Sequence, residues 1–175
     1  MNLDDLDGRI GEGWSGEAPN GSHVNVVLAR RGSPTAAAAI SMLAHPSPGH
    51  TPVLVCVGAT PQEYEPVWPP TLMMNKGTAL EERHQRLTWG AAQLGIAQGV
   101  LDAVADGLVE ASGDLVVLIA VWVDPAASDE TAVRIANREA VRKAIRVCVE
   151  GRDPAAAAAL VERRDRLQSP YYSGE

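Results

Sequence analysis

Leu115-Val116-Val117-Leu118-Ile119-Ala120-Val121-Trp122-Val123 runs for nine residues without a polar side chain, between Asp114 and Asp124. A membrane-spanning helix needs about 20 apolar residues, so this run is too short to cross a bilayer as a helix. Its Val, Leu and Ile content and its abrupt charged ends instead predict a central strand, buried on both faces. Helical patterns lie on either side of it. Before it, Leu94, Ala97, Leu101, Val104 and Leu108 recur at spacings of three and four, which predicts a helix over 91–109 with those residues inward. After it, Val133, Ala136, Ala140, Ala144 and Cys148 share a face with Val141 and Ile145, predicting a second long helix over 129–150 that stops at Gly151.

Further outward, the Val-rich stretch His23–Arg30 reads as a strand, followed by Ser33 and Pro34 as N-cap and first residue of an Ala-rich helix to Ala44. Val53–Val57 predicts a short buried strand, 58–70 a stiff Pro-rich loop, and Thr71–Lys76 another strand. Leu80–Leu87 is helix-compatible, and Pro154 opens a last Ala-rich helix. Strands and helices alternate. The expected class is α+β with α/β-like alternation, a sheet of four to five strands covered by helices mainly on one face. Residues 1–12 are expected as a flexible acidic lead-in, 13–168 as one domain and 169–175 as a loose tail.

Composition narrows the function. Of 175 residues, 46% are hydrophobic and 21% charged, and with no Phe the core must be built from Val, Leu, Ile and Ala. A net charge of −7 argues against nucleic acid as a partner. The acidic start Met1–Asp7 differs from a secretory leader, and Cys56 and Cys148 stand in separate apolar segments, expected as buried free thiols; a cytoplasmic location follows as an expectation. His23, His45, His50 and His84 are scattered, so no metal site is expected. Nucleotide-binding, serine-hydrolase and zinc-protease motifs are missing.

The candidates for chemistry are sparse. His23 and Asn25 point to one face of their strand, because side chains repeat every second residue. Lys76 ends the strand that starts at Thr71, and Gln93 lies in the first turn of the long helix. Arg30 and Arg31 precede a helix N-terminus, where an anion could sit. Taken singly, all of these also fit plain surface or capping positions.

The same residues carry a resemblance. His23-Val24-Asn25-Val26-Val27-Leu28-Ala29-Arg30-Arg31-Gly32-Ser33-Pro34 resembles the strand and helix start of formaldehyde-activating enzymes. Gly49-His50-Thr51-Pro52-Val53-Leu54, Thr71-Leu72-Met73-Met74-Asn75-Lys76-Gly77-Thr78 and Trp89-Gly90-Ala91-Ala92-Gln93 resemble later motifs of that family, in the same order, as do Asn137-x-Glu139-Ala140 and Glu150-Gly151. The likeness covers about residues 12–155. It implies a ribosomal protein S5 domain 2-like fold, a homo-oligomer (a homopentamer) with pterin bound between subunits, and a carbon–oxygen lyase that condenses formaldehyde with tetrahydromethanopterin or a related tetrahydropterin, giving the methylene adduct and water. Carried across, His23 matches the catalytic histidine, and Leu54, Lys76, Thr78 and Gln93 match pterin-contacting positions. The family's aspartate two residues after the histidine is Asn25 here, which keeps an acceptor for a pterin N–H but no charge. The family's C-terminal His-Pro-Phe is replaced by Ser169-Pro170-Tyr171-Tyr172. A non-catalytic or altered-substrate homologue, binding or sensing a pterin or aldehyde, is the alternative that these departures leave open.

Overall fold

A computed structural model describes residues 2–169. In chain order the elements are α1 (Leu3–Leu6), β1 (Ile10–Ser15), β2 (Ser22–Arg30), α2 (Pro34–Ser41), β3 (Val53–Leu54), β4 (Cys56–Val57), β5 (Glu65–Pro66), β6 (Thr71–Asn75), α3 (Glu82–Arg86), α4 (Gln93–Ala105), β7 (Leu115–Val123), α5 (Glu130–Glu150) and α6 (Pro154–Glu162). The class is α+β. Its main sheet has the order β1-β2-β7-β6-β3, in which β6 and β7 run parallel and the other neighbours antiparallel.

The two faces of the sheet differ. Val24, Val26 and Leu28 of β2 and Leu115, Val117, Ile119, Val121 and Val123 of β7 point into a core shared with α4 and α5. Alternate residues on the opposite face, including Val27, Leu118, Ala120 and Trp122, are only half-buried. The expectation that the Leu115–Val123 strand is buried on both faces is therefore corrected: among the described residues, helices cover one face, and the other is covered at a corner, where Ala36 of α2 packs on Ala29 and Val116.

Glycines set how closely α5 approaches its neighbours. A Cβ at Gly11 or Gly13 would sit 2.1 Å from the backbone oxygen of Ala144 or Ala140, so β1 lies against the α5 backbone with no room for a side chain. Ile10, Glu12 and Trp14 of β1 are thereby directed to the open face, while Ser15 is buried on the same side as the glycines. Gly95 and Gly99 similarly bring α4 against α5, where a Cβ would meet Arg134 O at 2.2 Å and Arg138 O at 2.5 Å.

This contact corrects the expected inner face of the 91–109 helix. Ala97 and Leu108 are buried as expected and Val104 is half-buried against the core, but Ile96, Val100 and Ala103 also face inward, whereas Leu94 and Leu101 are 42% and 45% exposed. Glycines at 95 and 99 rotate the contact onto the small-residue side, a choice that large-residue periodicity does not reveal. The helix also ends at Ala105, with Gly107 at φ +72, and it is preceded by a π-helical stretch, Leu87–Ala92. The 129–150 helix has the bounds and buried face expected, and Asp129 caps it by accepting from the Ala132 N–H at 3.0 Å.

Two further expectations change. Val53–Val57 is divided: Val53–Leu54 joins β6, whereas Cys56–Val57 pairs with Glu65–Pro66 in a separate ribbon, so residues 58–70 hold a short strand as well as loop. Cys56 is accordingly half-buried; Cys148 is fully buried, and burial pushes its thiol up to about 12. The acidic lead-in also contributes to the fold. Leu6 is buried, Asp7 accepts hydrogen bonds from Arg30 N (2.8 Å) and Ser33 Oγ (2.7 Å), and β1 begins at Ile10, ahead of the boundary placed at 13. From residue 170 on, the expected tail lies outside the described residues.

Candidate active site on the open sheet face

Strand register aligns the open face into cross-strand rows. One is aliphatic and spans all five strands: Ile10, Val27, Leu118, Leu72 and Leu54. The next is mixed: Glu12, Asn25, Ala120 and Met74. The third joins Trp14, His23 and Trp122, and β6 continues to it through Lys76, whose backbone N–H donates to Val121 O at 2.7 Å. Trp14 stacks on Trp122 with ring centroids 6.1 Å apart, and its ring lies 6.4 Å from that of His23.

His23 is held at both ring nitrogens. Its Nε2 lies 2.9 Å from Glu12 Oε1, and its Nδ1 lies 2.5 Å from Lys76 Nζ. Lys76 Nζ also donates to Asn25 Oδ1 at 2.9 Å. An ammonium has only donors and a carboxylate only acceptors, so these partners assign Nδ1 as the acceptor and Nε2–H as the donor. Burial lowers the pKa of Lys76 from its ordinary value, opposed by the charge of Glu12. A carboxylate, an imidazole and an amine thus stand in line beside aromatic and aliphatic surface.

The sequence-derived candidates divide into two groups. His23, Asn25 and Lys76 meet in this cluster, and Leu54 shares its sheet face at the far end of the aliphatic row. Thr78 lies two residues beyond Lys76, and its Oγ1 is 3.1 Å from His50 Nε2. Gln93 is elsewhere. Its Nε2 donates to Cys56 O at 2.9 Å, in a cleft of about 570 Å³ lined also by Tyr64, Arg86, Trp89 and Arg134; no lining residue belongs to the open sheet face. Arg31 pairs with Asp114, and Arg30 with Asp4. Among the described residues, no group of three or more His, Cys, Asp or Glu is placed to share a metal ion.

Glu12 is the member that sequence reasoning missed. Its only signal was a lone charged residue between two glycines, Gly11-Glu12-Gly13, and the register with β2 was needed to bring it to His23.

A model of the formaldehyde-activating enzyme (Fae) family matches residues 10–172. This chain belongs to the formaldehyde-activating enzyme family. It is 33% identical over 168 residues to a 5,6,7,8-tetrahydromethanopterin hydro-lyase of Methanosarcina barkeri, covering 95% of this chain and 91% of that protein. It is 31% identical over 144 residues to a bifunctional enzyme Fae/Hps of Methanococcoides burtonii and 31% over 140 residues to one of Archaeoglobus fulgidus. Those alignments cover 81% and 79% of this chain but only 35% and 34% of the bifunctional proteins, so the chain spans about a third of their length. In this chain, Asn25 brings no charge to the histidine, and the carboxylate beside His23 comes from the adjacent strand as Glu12.

Proposed function

We propose that this protein condenses formaldehyde with tetrahydromethanopterin, or a related tetrahydropterin, to the methylene adduct and water, acting as a carbon–oxygen lyase. The observation that carries this reading is His23, oriented by Glu12 and Lys76 on an apolar sheet face, in a chain of this family. An amine adds to formaldehyde readily, giving a carbinolamine. Expelling its oxygen as hydroxide is slow, and a positioned acid converts that oxygen to water. Histidine exchanges a proton near neutral pH, and a carboxylate at its other nitrogen stabilises the imidazolium. Glu12 supplies that charge, which favours catalysis over a purely binding homologue.

In the same reading, Asn25, Lys76, Leu54, Thr78 and Gln93 contact the pterin, with the aliphatic row offering a ring face. The cleft around Gln93 lies apart from the cluster around His23. A pterin that touches both therefore fits between neighbouring subunits of a homo-oligomer, a homopentamer of ribosomal protein S5 domain 2-like protomers. Ile10 and Trp14, 70% and 46% exposed on the open face, supply apolar surface for such contacts. The cytoplasm is the expected location. Product formation from formaldehyde and tetrahydromethanopterin, above the uncatalysed rate and lost in His23→Ala, tests the chemistry; light scattering tests the assembly.

A further inference from the structure

Lys76 does not have the surroundings of a solvated surface lysine. Its side chain reaches back over the sheet, half-buried, and gives one donor to His23 Nδ1 and one to Asn25 Oδ1. A third N–H is left for whatever occupies the open face. His23, at 2.5 Å, is a base within reach of the ammonium proton, and Glu12, at 2.9 Å from the other ring nitrogen, balances the imidazolium that results. A nucleophile bonded to a base, with the base oriented by a carboxylate, is the arrangement by which proteins activate weak nucleophiles. Lysine amines become nucleophilic when desolvated, and aldehydes are their usual electrophiles. Asn25 fits this scheme where an aspartate would not. A neutral amide accepts from the ammonium without neutralising it, so the proton is more easily lost. Burial shifts Lys76 in the same direction.

Resting on the functional reading above, we propose that Lys76 is a covalent catalytic residue that captures formaldehyde before the pterin does, with His23 as its base and Glu12 as a positioning residue. His23 Nδ1 takes a proton from the Lys76 ammonium. The amine lone pair forms a C–N bond to formaldehyde as the carbonyl π bond breaks, and transfer of a nitrogen proton to the oxygen gives a carbinolamine. The imidazolium protonates that hydroxyl, the C–O bond breaks, and water leaves an iminium on Lys76. One pterin amine adds to the iminium carbon. A second then displaces the lysine, breaking the first C–N bond, and the two protons lost by the pterin amines restore the ammonium. No oxidant or reductant enters.

The chain has only two lysines, Lys76 and Lys143, so Lys143 is an internal control. The full-length protein is treated at pH 7 with formaldehyde and cyanoborohydride, without pterin. Hydride reduces any iminium to a methylated lysine, read by peptide mass mapping. Lys76 is expected to be labelled at least ~10-fold faster than Lys143, because burial favours its free amine and His23 stands in place to take its proton. Pre-mixing with tetrahydromethanopterin should suppress the Lys76 label, and Glu12→Gln should slow it. Lys76→Arg should lose kcat for condensation while keeping a wild-type circular dichroism spectrum, and Lys143→Arg should condense like wild type. Equal labelling of the two lysines overturns the proposal, as does Lys76→Arg with wild-type kcat. If the wild type condenses and Lys76 stays unlabelled, the nucleophile is refuted and the condensation reading stands. If Lys76 is labelled selectively and nothing condenses, the aldehyde nucleophile stands and the pterin is refuted as acceptor.

Discussion

Glu12 Oε1 lies 2.9 Å from His23 Nε2, across a strand pair in which Glu12 is registered with Asn25 rather than with His23 itself. The diagonal contact gives His23 a carboxylate that its own strand lacks. It exists because Gly11 and Gly13 seat β1 on the α5 backbone and leave Glu12 only the open face. The packing of a helix on a strand therefore fixes the electrostatics of the site.

Replacing Glu12 by Gln should keep the fold and weaken the acid. The Glu12 side chain is 61% exposed, so its interaction with an imidazolium is discounted for solvent to about 0.5–1 kcal/mol. That corresponds to a rate loss of about 2- to 5-fold at pH 7. Stopped-flow rates of the two proteins at pH 7 compare them, and an unchanged rate would remove Glu12 from the mechanism.

Asn25→Asp should act through Lys76. The carbonyl oxygen at this position accepts from Lys76 Nζ at 2.9 Å, so a new negative charge is placed against the ammonium first. After discounting for solvent, about 1 kcal/mol of attraction remains, and it raises the Lys76 pKa. Burial alone lowers it, so the sign reverses that effect. Reductive methylation of Lys76, followed against pH, should need a more alkaline solution in the variant. An unchanged pH dependence would mean that Asn25 and Lys76 are not coupled.

Gly13→Ala should destabilise the protein by about 2–3 kcal/mol, because a methyl group has no space beside the Ala140 carbonyl. For a chain of this size, Tm should fall by roughly 5–10 °C. Gly90, whose Cβ would meet nothing within 4 Å, is the control and should tolerate Ala. Thermal melts of the two variants that fell equally would contradict the packing of β1 on α5.

The α4–α5 contact carries a pH-dependent element. Asp102 accepts from Arg138 Nε at 2.5 Å and Nη2 at 2.7 Å, and that hydrogen bonding holds its carboxyl below the ordinary value of 3.8. A depressed carboxylate stabilises the folded state above its unfolded pKa, and the contribution is lost as pH falls through the folded value. Asp102→Asn should cost about 0.5–1 kcal/mol at pH 7, given partial exposure. The difference from wild type should shrink below about pH 4. Urea melts at the two pH values check it.

Much of the fold was legible because its signals are local. Leu115–Val123 sits at the centre of the sheet, Ser33 caps α2 by accepting from the Ala36 N–H, and the α5 face from Val133 to Cys148 is buried. The α4 face was misread because Gly95 and Gly99, not the large residues, determine what α5 touches. Val53–Val57 divides because Cys56 finds its partner in Pro66, ten positions away, which apolar character alone does not specify. In the site, strand periodicity put His23 and Asn25 on one face. The fold brings Lys76, the candidate two strands across the sheet, to them, and adds Glu12, from the adjacent strand, which sequence did not single out.

In the proposed reaction, His23 supplies the acid that speeds the joining of formaldehyde to a tetrahydropterin. Stopped-flow measurement of methylene-adduct formation from formaldehyde and tetrahydromethanopterin, with wild type and His23→Ala side by side, tests it most directly. The expected result is a wild-type rate well above the uncatalysed reaction and a loss of about 10²- to 10⁴-fold in a folded variant. A wild type no faster than buffer, or a folded His23→Ala variant with wild-type turnover, would contradict it.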